Sequence, residues 1–165
     1  MPDNLDLAQP RKRRRQAADA CTEAASRRHR DAILPLFTNE QTSALHGIVD
    51  AIRSDIEHKI FGLIASAGVG KTIFANGLTA FLRAQNRTVV CVAASGLAAG
   101  LMLDGTTAHS AFHIPIPANE HTMCNLSQTD RALLKKADLI IWDECSMVRI
   151  AATTFSLCRH PAPHI

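Results

Sequence analysis

The side chains that could handle a polyphosphate stand in two places, Lys71-Thr72 and Asp143-Glu144. Lys71 and Thr72 close the string Ala65-Ser66-Ala67-Gly68-Val69-Gly70-Lys71-Thr72, after an apolar run that includes Ile60, Phe61, Leu63 and Ile64. Small residues let the successive backbone N–H groups of Ser66, Ala67, Gly68, Val69 and Gly70 curve into a concave anion nest. A helix starting at Lys71 adds its positive end to that nest. The Lys71 ammonium can then reach β- and γ-phosphates as a point charge, and the Thr72 hydroxyl can ligate Mg²⁺. The usual spacing is GxxxxGK[ST], and Ala65 holds its first position. Alanine suits the end of a strand there, although a left-handed backbone at Ala65 would be strained.

Asp143 and Glu144 follow a second apolar run, Leu139 to Trp142. A carboxylate at a strand end facing a phosphate loop holds Mg²⁺ through water, the role that fits Asp143. A neighbouring carboxylate can orient and deprotonate an attacking water, which makes Glu144 the candidate general base. A solvated acidic pair closing a strand is the bland alternative. The presence of Lys71 and Thr72 upstream favours the catalytic reading.

These groups need a scaffold to bring them together. Leu45, Ile48, Val49, Ile52 and Ile56 recur at helical spacing, predicting an amphipathic helix from Asn39 to about residue 57, with Thr38 or Asn39 as its cap. A strand over 60–65 leads into the loop. A helix from Lys71 to about Ala84 turns Ile73, Phe74, Leu78, Phe81 and Leu82 inward. Residues 88–93 read as a second buried strand, 94–104 as a short helix, 105–107 as a turn and 107–112 as a helical turn. Pro115 and Pro117 hold the next piece extended. A short helix over 130–136 precedes a third strand at 137–142. Buried strands alternating with helices predict an α/β domain with a parallel sheet of three evident strands and flanking helices. Ligands of such sheets bind at the carboxyl ends of the strands, where residues 65–72, 94–96 and 143–144 fall.

With 165 residues the chain is long enough for one domain with a sizeable core. The net charge of +3 comes from residues 1–31, which hold eight basic and five acidic side chains; the remainder holds ten of each. That polar arm reads as disordered or loosely helical. Its block Arg11-Lys12-Arg13-Arg14-Arg15 reads either as a nuclear address or phosphate contact, or as a solubility tail. No apolar run reaches the length of a membrane span, and the opening residues resemble neither a secretory signal nor a presequence. The five cysteines show no paired spacing. Cys91 and Cys145 read as buried reduced thiols of a reducing, intracellular compartment. His121-x-x-Cys124 and Cys158-x-His160 are too short and unmatched to argue for zinc.

The sequence resembles the petite-integration-frequency (Pif-type) DNA helicases of superfamily one, including those carried by Helitron transposons. Matching blocks occur in order: TNEQ at 38–41, ASAGVGKT at 65–72, AASGLAAGLMLDGTTAHSAFHIPI at 93–116, CNLSQTDRALLKKADLIIWDE at 124–144, and Ser146-Met147. The resemblance covers about residues 36–148. It implies a partial RecA-like P-loop NTPase fold over 32–148 and the use of ATP and Mg²⁺. It implies 5′-to-3′ unwinding of DNA on a single-stranded track, in repair, recombination, telomere maintenance or transposition, with no small-molecule substrate besides ATP. By the same resemblance Gln41 reads the adenine edge and Ser95-Gly96 contact DNA phosphates. Thr107, His109 and Ser110 then line the DNA path. By residue type alone these would be a surface glutamine, a turn and a capping histidine.

After Met147 the family pattern stops, and residues 149–165 read as an irregular tail. The resemblance then implies a fragment without the glutamine that senses the γ-phosphate and the arginines that complete the site. It also implies that a later strand, inserted between the loop strand and the carboxylate strand, is missing. Such a chain should expose sheet edges and hydrolyse ATP weakly alone. The competing reading is an inert nucleotide-binding remnant or a regulator of a full-length helicase. A small P-loop kinase is disfavoured because no lid of clustered arginines follows the third strand.

Overall fold

The computed structural model describes residues 22–54, 60–115, 124 and 126–147. The basic block at 11–15, Ile56, Pro117, the His121 and Cys158-His160 sites, and the tail at 149–165 lie outside these residues. Within the polar arm, residues 22–33 form helix α1. A 3₁₀ turn at Leu34–Leu36 leads to Thr38, which caps α2 (Asn39–Arg53). Thr38 rather than Asn39 is the cap because its hydroxyl accepts from Gln41 N while Gln41 Oε1 accepts from Thr38 N, a reciprocal capping box.

Helix α3 spans Lys71–Arg83, strand β1 Val89–Ala93, helix α4 Gly96–Leu101 and strand β2 Thr106–Thr107. Then come α5 (Ala108–Ala111), α6 (Gln128–Lys136), β3 (Leu139–Asp143) and a 3₁₀ turn at Cys145–Met147. The sheet has three strands in the order β2-β1-β3, and both pairs are parallel. The fold is therefore α/β with a parallel sheet between helices, as the alternation of elements predicts.

Side-chain alternation along β1 sorts the core into two layers. Val89, Cys91 and Ala93 face a cluster built by Leu45 and Val49 of α2 and Phe74, Leu78 and Leu82 of α3. Val92 faces the opposite cluster of Ala108, Phe112, Ile114 and Cys124. Each Leu or Phe so buried contributes about 1.5–3 kcal/mol of transfer free energy. Phe112 and Trp142 meet at 5.2 Å between ring centroids, closing the second layer against β3.

The membership of the sheet differs from the sequence-based expectation. Residues 60–65 are not a strand, and Ile60 (72% exposed) and Ile64 (97%) lie open to solvent. Residue type makes this run attractive as a buried strand, but a strand also needs a neighbour about 4.8 Å away. β1 has β2 on one side and β3 on the other, and among the described residues 60–65 pairs with neither outer edge. The third strand is instead β2, where Thr106 and Thr107, expected in a turn, pair with Val92 and Ala93.

Two smaller expectations also change. Ile73 is 45% exposed, because it sits in the first turn of α3 where the neighbouring run at 60–65 does not pack. Cys145 is exposed, lying past the end of β3, while Cys91 and Cys124 are buried and not in a disulfide.

Candidate functional site

The small-residue string curves as its glycines require. Gly68 (φ 78°) and Gly70 (φ 87°) adopt left-handed backbone, while Ala65 does not, so alanine there meets no strain. Gly70 is also the N-cap of α3 and offers no side-chain hydrogen bond. α2, α4, α5 and α6 are each capped by a side chain, from Thr38, Ser95, Thr107 and Ser127. α3 is the exception among them, so its first-turn N–H groups remain for an incoming acceptor. Lys71 Nζ bends back over the loop, donating to Ala65 O at 2.8 Å and Ser66 O at 2.7 Å. A cation is thus already held against the carbonyls at the start of the loop. A loop of left-handed glycines, uncapped amides and an inward ammonium fits a polyphosphate.

Packing fixes where this loop stands. Arg83 Nη2 donates to Val89 O at 3.0 Å, and Thr79 Oγ1 lies 3.3 Å from Cys91 Sγ. α3 therefore runs antiparallel to β1, with its N-terminus toward the carboxyl end of the strand. From Thr79 to Lys71 the helix climbs about 12 Å, while Cys91 to Ala93 climbs about 7 Å. The loop stands about 5 Å beyond the strand end by that reckoning. Burial pushes the Cys91 thiol pKa up, offset in part by Thr79, so this cysteine is a packing residue.

Asp143 ends β3 in register with Ala93. Leu139 and Ile141 pack into the α3 layer and Ile140 and Trp142 into the other. By the same alternation Asp143 belongs to the face that α3 covers. Its Oδ1 accepts from Glu144 N at 3.0 Å, which orients the carboxylate. Glu144 is exposed and left-handed (φ 53°), an uncommon backbone for a non-glycine residue and of a kind that gathers at functional sites.

The remaining expected residues share this carboxyl edge. Ser95 follows β1 and caps α4 through Ala98 N at 3.2 Å. Gly96 opens α4 and is exposed, with open space around it. Thr107 ends β2 opposite Ala93 and caps α5 through Ser110 N at 3.2 Å. Ser110 is exposed, and His109 is half-buried with its carbonyl accepting from Ile114 N at 3.0 Å. Gln41 reaches the loop directly, its Nε2 donating to Val69 O at 3.3 Å.

One contributor escapes a reading by motif. Asn76, in the second turn of α3, donates to Leu101 O at 2.9 Å and accepts from Leu103 N at 2.8 Å. It ties the loop's helix to the end of α4, across a sequence gap no pattern reveals. An asparagine beside a glycine, between the apolar residues Ile73 to Ala75 and Leu78, is the available signal.

Among the described residues, no three His, Cys, Asp or Glu side chains gather as a metal cluster. Thr72 and Asp143 nonetheless suit Mg²⁺, which takes one or two protein oxygens and completes its shell with phosphate and water.

Comparison with known proteins decides the family. Residues 36–155 match the model of the PIF1-like helicases. The chain belongs to the PIF1-like helicase family. It is also 34% identical over 88 residues to a protein of Trypanosoma brucei brucei described as the ATP-dependent DNA helicase PIF4. That match takes in 50% of this chain and 11% of the relative, so the chain spans a small part of the relative's length. Among the described residues no helix is long and apolar enough to cross a membrane.

Proposed function

We propose that this PIF1-like helicase chain binds Mg·ATP in the loop 66–72 as part of an ATP-driven machine that moves on single-stranded DNA in the 5′-to-3′ direction. The observation that carries this reading is the uncapped start of α3, with Lys71 Nζ held over the carbonyls of Ala65 and Ser66. Lys71 would neutralise β- and γ-phosphate oxygens. Thr72 and Asp143 would hold Mg²⁺, which supplies further neutralisation of the phosphates when bound. Glu144 would take the proton of the water whose oxygen bonds to the γ-phosphorus as the bond to the β-phosphate oxygen breaks, leaving ADP and phosphate. Gly96, Ser110 and the caps Ser95 and Thr107 would meet DNA phosphates, with His109 beside them. Arg11 to Arg15 would address the protein to the nucleus.

A second reading, nucleotide binding without useful turnover, draws on the arginines. Arg83 pairs with Asp104, Arg87 with Asp138, Arg53 with Gln85, and Arg131 with Leu126 O. None of these four is spent on the loop, and arginine stabilisation of phosphoryl transfer is worth about 10³–10⁵ in rate. The chain alone would then act as a holder of nucleotide or a regulator of a longer helicase.

Magnesium-dependent nucleotide titration of the folded chain, with Lys71→Ala beside it, tests the common core of both readings. Binding by the wild type that drops about 10–100-fold in the variant is expected, the worth of a charge-assisted contact. No binding by soluble wild-type protein would refute both. ATP hydrolysis with and without single-stranded DNA then separates motor from holder.

A further inference from the structure

Gly70 leaves one feature of the loop undetermined. A trans peptide is planar, with its C=O and the following N–H pointing opposite ways. Rotating the plane between Val69 and Gly70 by half a turn would exchange positive for negative φ at Gly70, and glycine accepts either almost equally. The conformational preference of Gly70 itself therefore does not choose which way its N–H points.

Gln41 is placed to do so. Its Nε2 donates to Val69 O at 3.3 Å, and a Cβ built on Gly70 would stand 3.2 Å from the same nitrogen. The other end of the amide is fixed as well, since Oε1 accepts from Thr38 N at 3.0 Å. The capping box at the start of α2 thus sets the amide, and the amide pins the Val69 carbonyl on the α2 side. The Gly70 N–H is thereby turned away from α2.

We propose that Gln41 is a positioning residue for the phosphate loop, holding the Val69–Gly70 peptide plane in the orientation that binds polyphosphate whatever the base. This rests on the nucleotide reading above and differs from base recognition by the same side chain. A residue that reads adenine matters for ATP alone, whereas one that sets the loop matters equally for any triphosphate.

Titrate the full chain with Mg·ATP, Mg·GTP and magnesium tripolyphosphate, which has no base. Gln41→Met should weaken all three by a similar factor, about fivefold for one hydrogen bond. Thr38→Ala, which removes the hydroxyl cap but keeps the amide-to-carbonyl contact, should leave all three within about twofold while lowering stability. In the ligand-free chain, Gln41→Glu retains the acceptor for Thr38 N but loses the donor. It should shift or broaden the Gly70 amide resonance while residues along α2 stay in place. A loss confined to ATP, an equal loss in Thr38→Ala, or an unmoved Gly70 resonance overturns the proposal. If the wild type binds none of the three, the nucleotide reading fails and takes this one with it.

Discussion

Asp138 and Thr88 hold each other through backbone and side chain at once. Asp138 N donates to Thr88 O at 2.8 Å, and Thr88 N donates to Asp138 Oδ2 at 2.7 Å. The second carboxylate oxygen takes Arg87 Nη1 at 2.7 Å. This clasp closes the first rung between β1 and β3, in the register that brings Asp143 opposite Ala93 at the far end. Arg87 is 43% exposed, so the ion pair adds little; the orphaned Thr88 N–H is what a substitution would expose. Asp138→Ala should cost about 1–3 kcal/mol in urea unfolding, and Arg87→Ala about 1 kcal/mol or less.

Glu144 and Lys71 should fail in different ways. Glu144→Gln keeps the shape of the side chain and removes its basicity. Nucleotide affinity should stay within about twofold, and any hydrolysis should fall by about 10²–10⁴. Single-turnover ATP hydrolysis measures this. Unchanged turnover would remove Glu144 from the role of general base.

Asn76→Leu would leave Leu103 N without its acceptor and free the end of α4 from α3. A loss of about 1–3 kcal/mol in chemical denaturation is expected. Faster amide hydrogen exchange at Leu103, with β1 still protected, would locate the damage in the α3–α4 link.

Asp130 carries the pH dependence. Its pKa is lowered first by the Ser127 hydroxyl and then by His113, whose Nε2 lies 3.1 Å from Oδ2. A carboxyl depressed in the folded state stabilises above its ordinary value of 3.8 and loses that contribution as pH falls through the lower folded value. The urea midpoints of wild type and Asp130→Asn should therefore lie further apart near about pH 5 than in stronger acid, where they converge. A gap that widens on acidification would contradict the assignment.

Ile64 discriminates between the two descriptions of residues 60–65. In a buried strand, Ile64→Lys would cost several kcal/mol. At 97% exposure it should change stability by less than about 0.5 kcal/mol. Removing an exposed apolar side chain beside Ile60 and Leu63 should also raise the concentration at which the chain aggregates.

Helices α2 to α6 and two of the strands were legible because their signals are local. Leu45 and Val49 recur at helical spacing, Thr38 stands three residues before Gln41, and β1 and β3 are continuous apolar runs. The loop was legible for the same reason, since its spacing is short and its glycines have a conformational duty. What failed depended on neighbours. Hydrophobicity marks Ile60 to Ile64 as strand-like but says nothing of whether an edge lies beside them. Thr106 and Thr107 become a strand only because Val92 and Ala93 are there to pair. Likewise, Asp143 acquires its face from the parity of the whole of β3, and the Asn76 contacts join residues 25 and 27 positions apart.

The loop at 66–70 is carried by α3 and touched by Gln41 of α2. With residues 60–65 outside the sheet, the stance of the loop relative to the end of β1 depends largely on how α3 lies along that strand, through Phe74, Leu78, Leu82 and the Thr79–Cys91 contact. From Arg83 to Lys71 that helix is a lever of about 18 Å, so a tilt of about 3° moves the ammonium by about 1 Å. Displacements of that size can cost about a hundredfold in rate. Apolar substitutions deep under α3, far from any phosphate, are thus a sensitive way to detune the site without touching it.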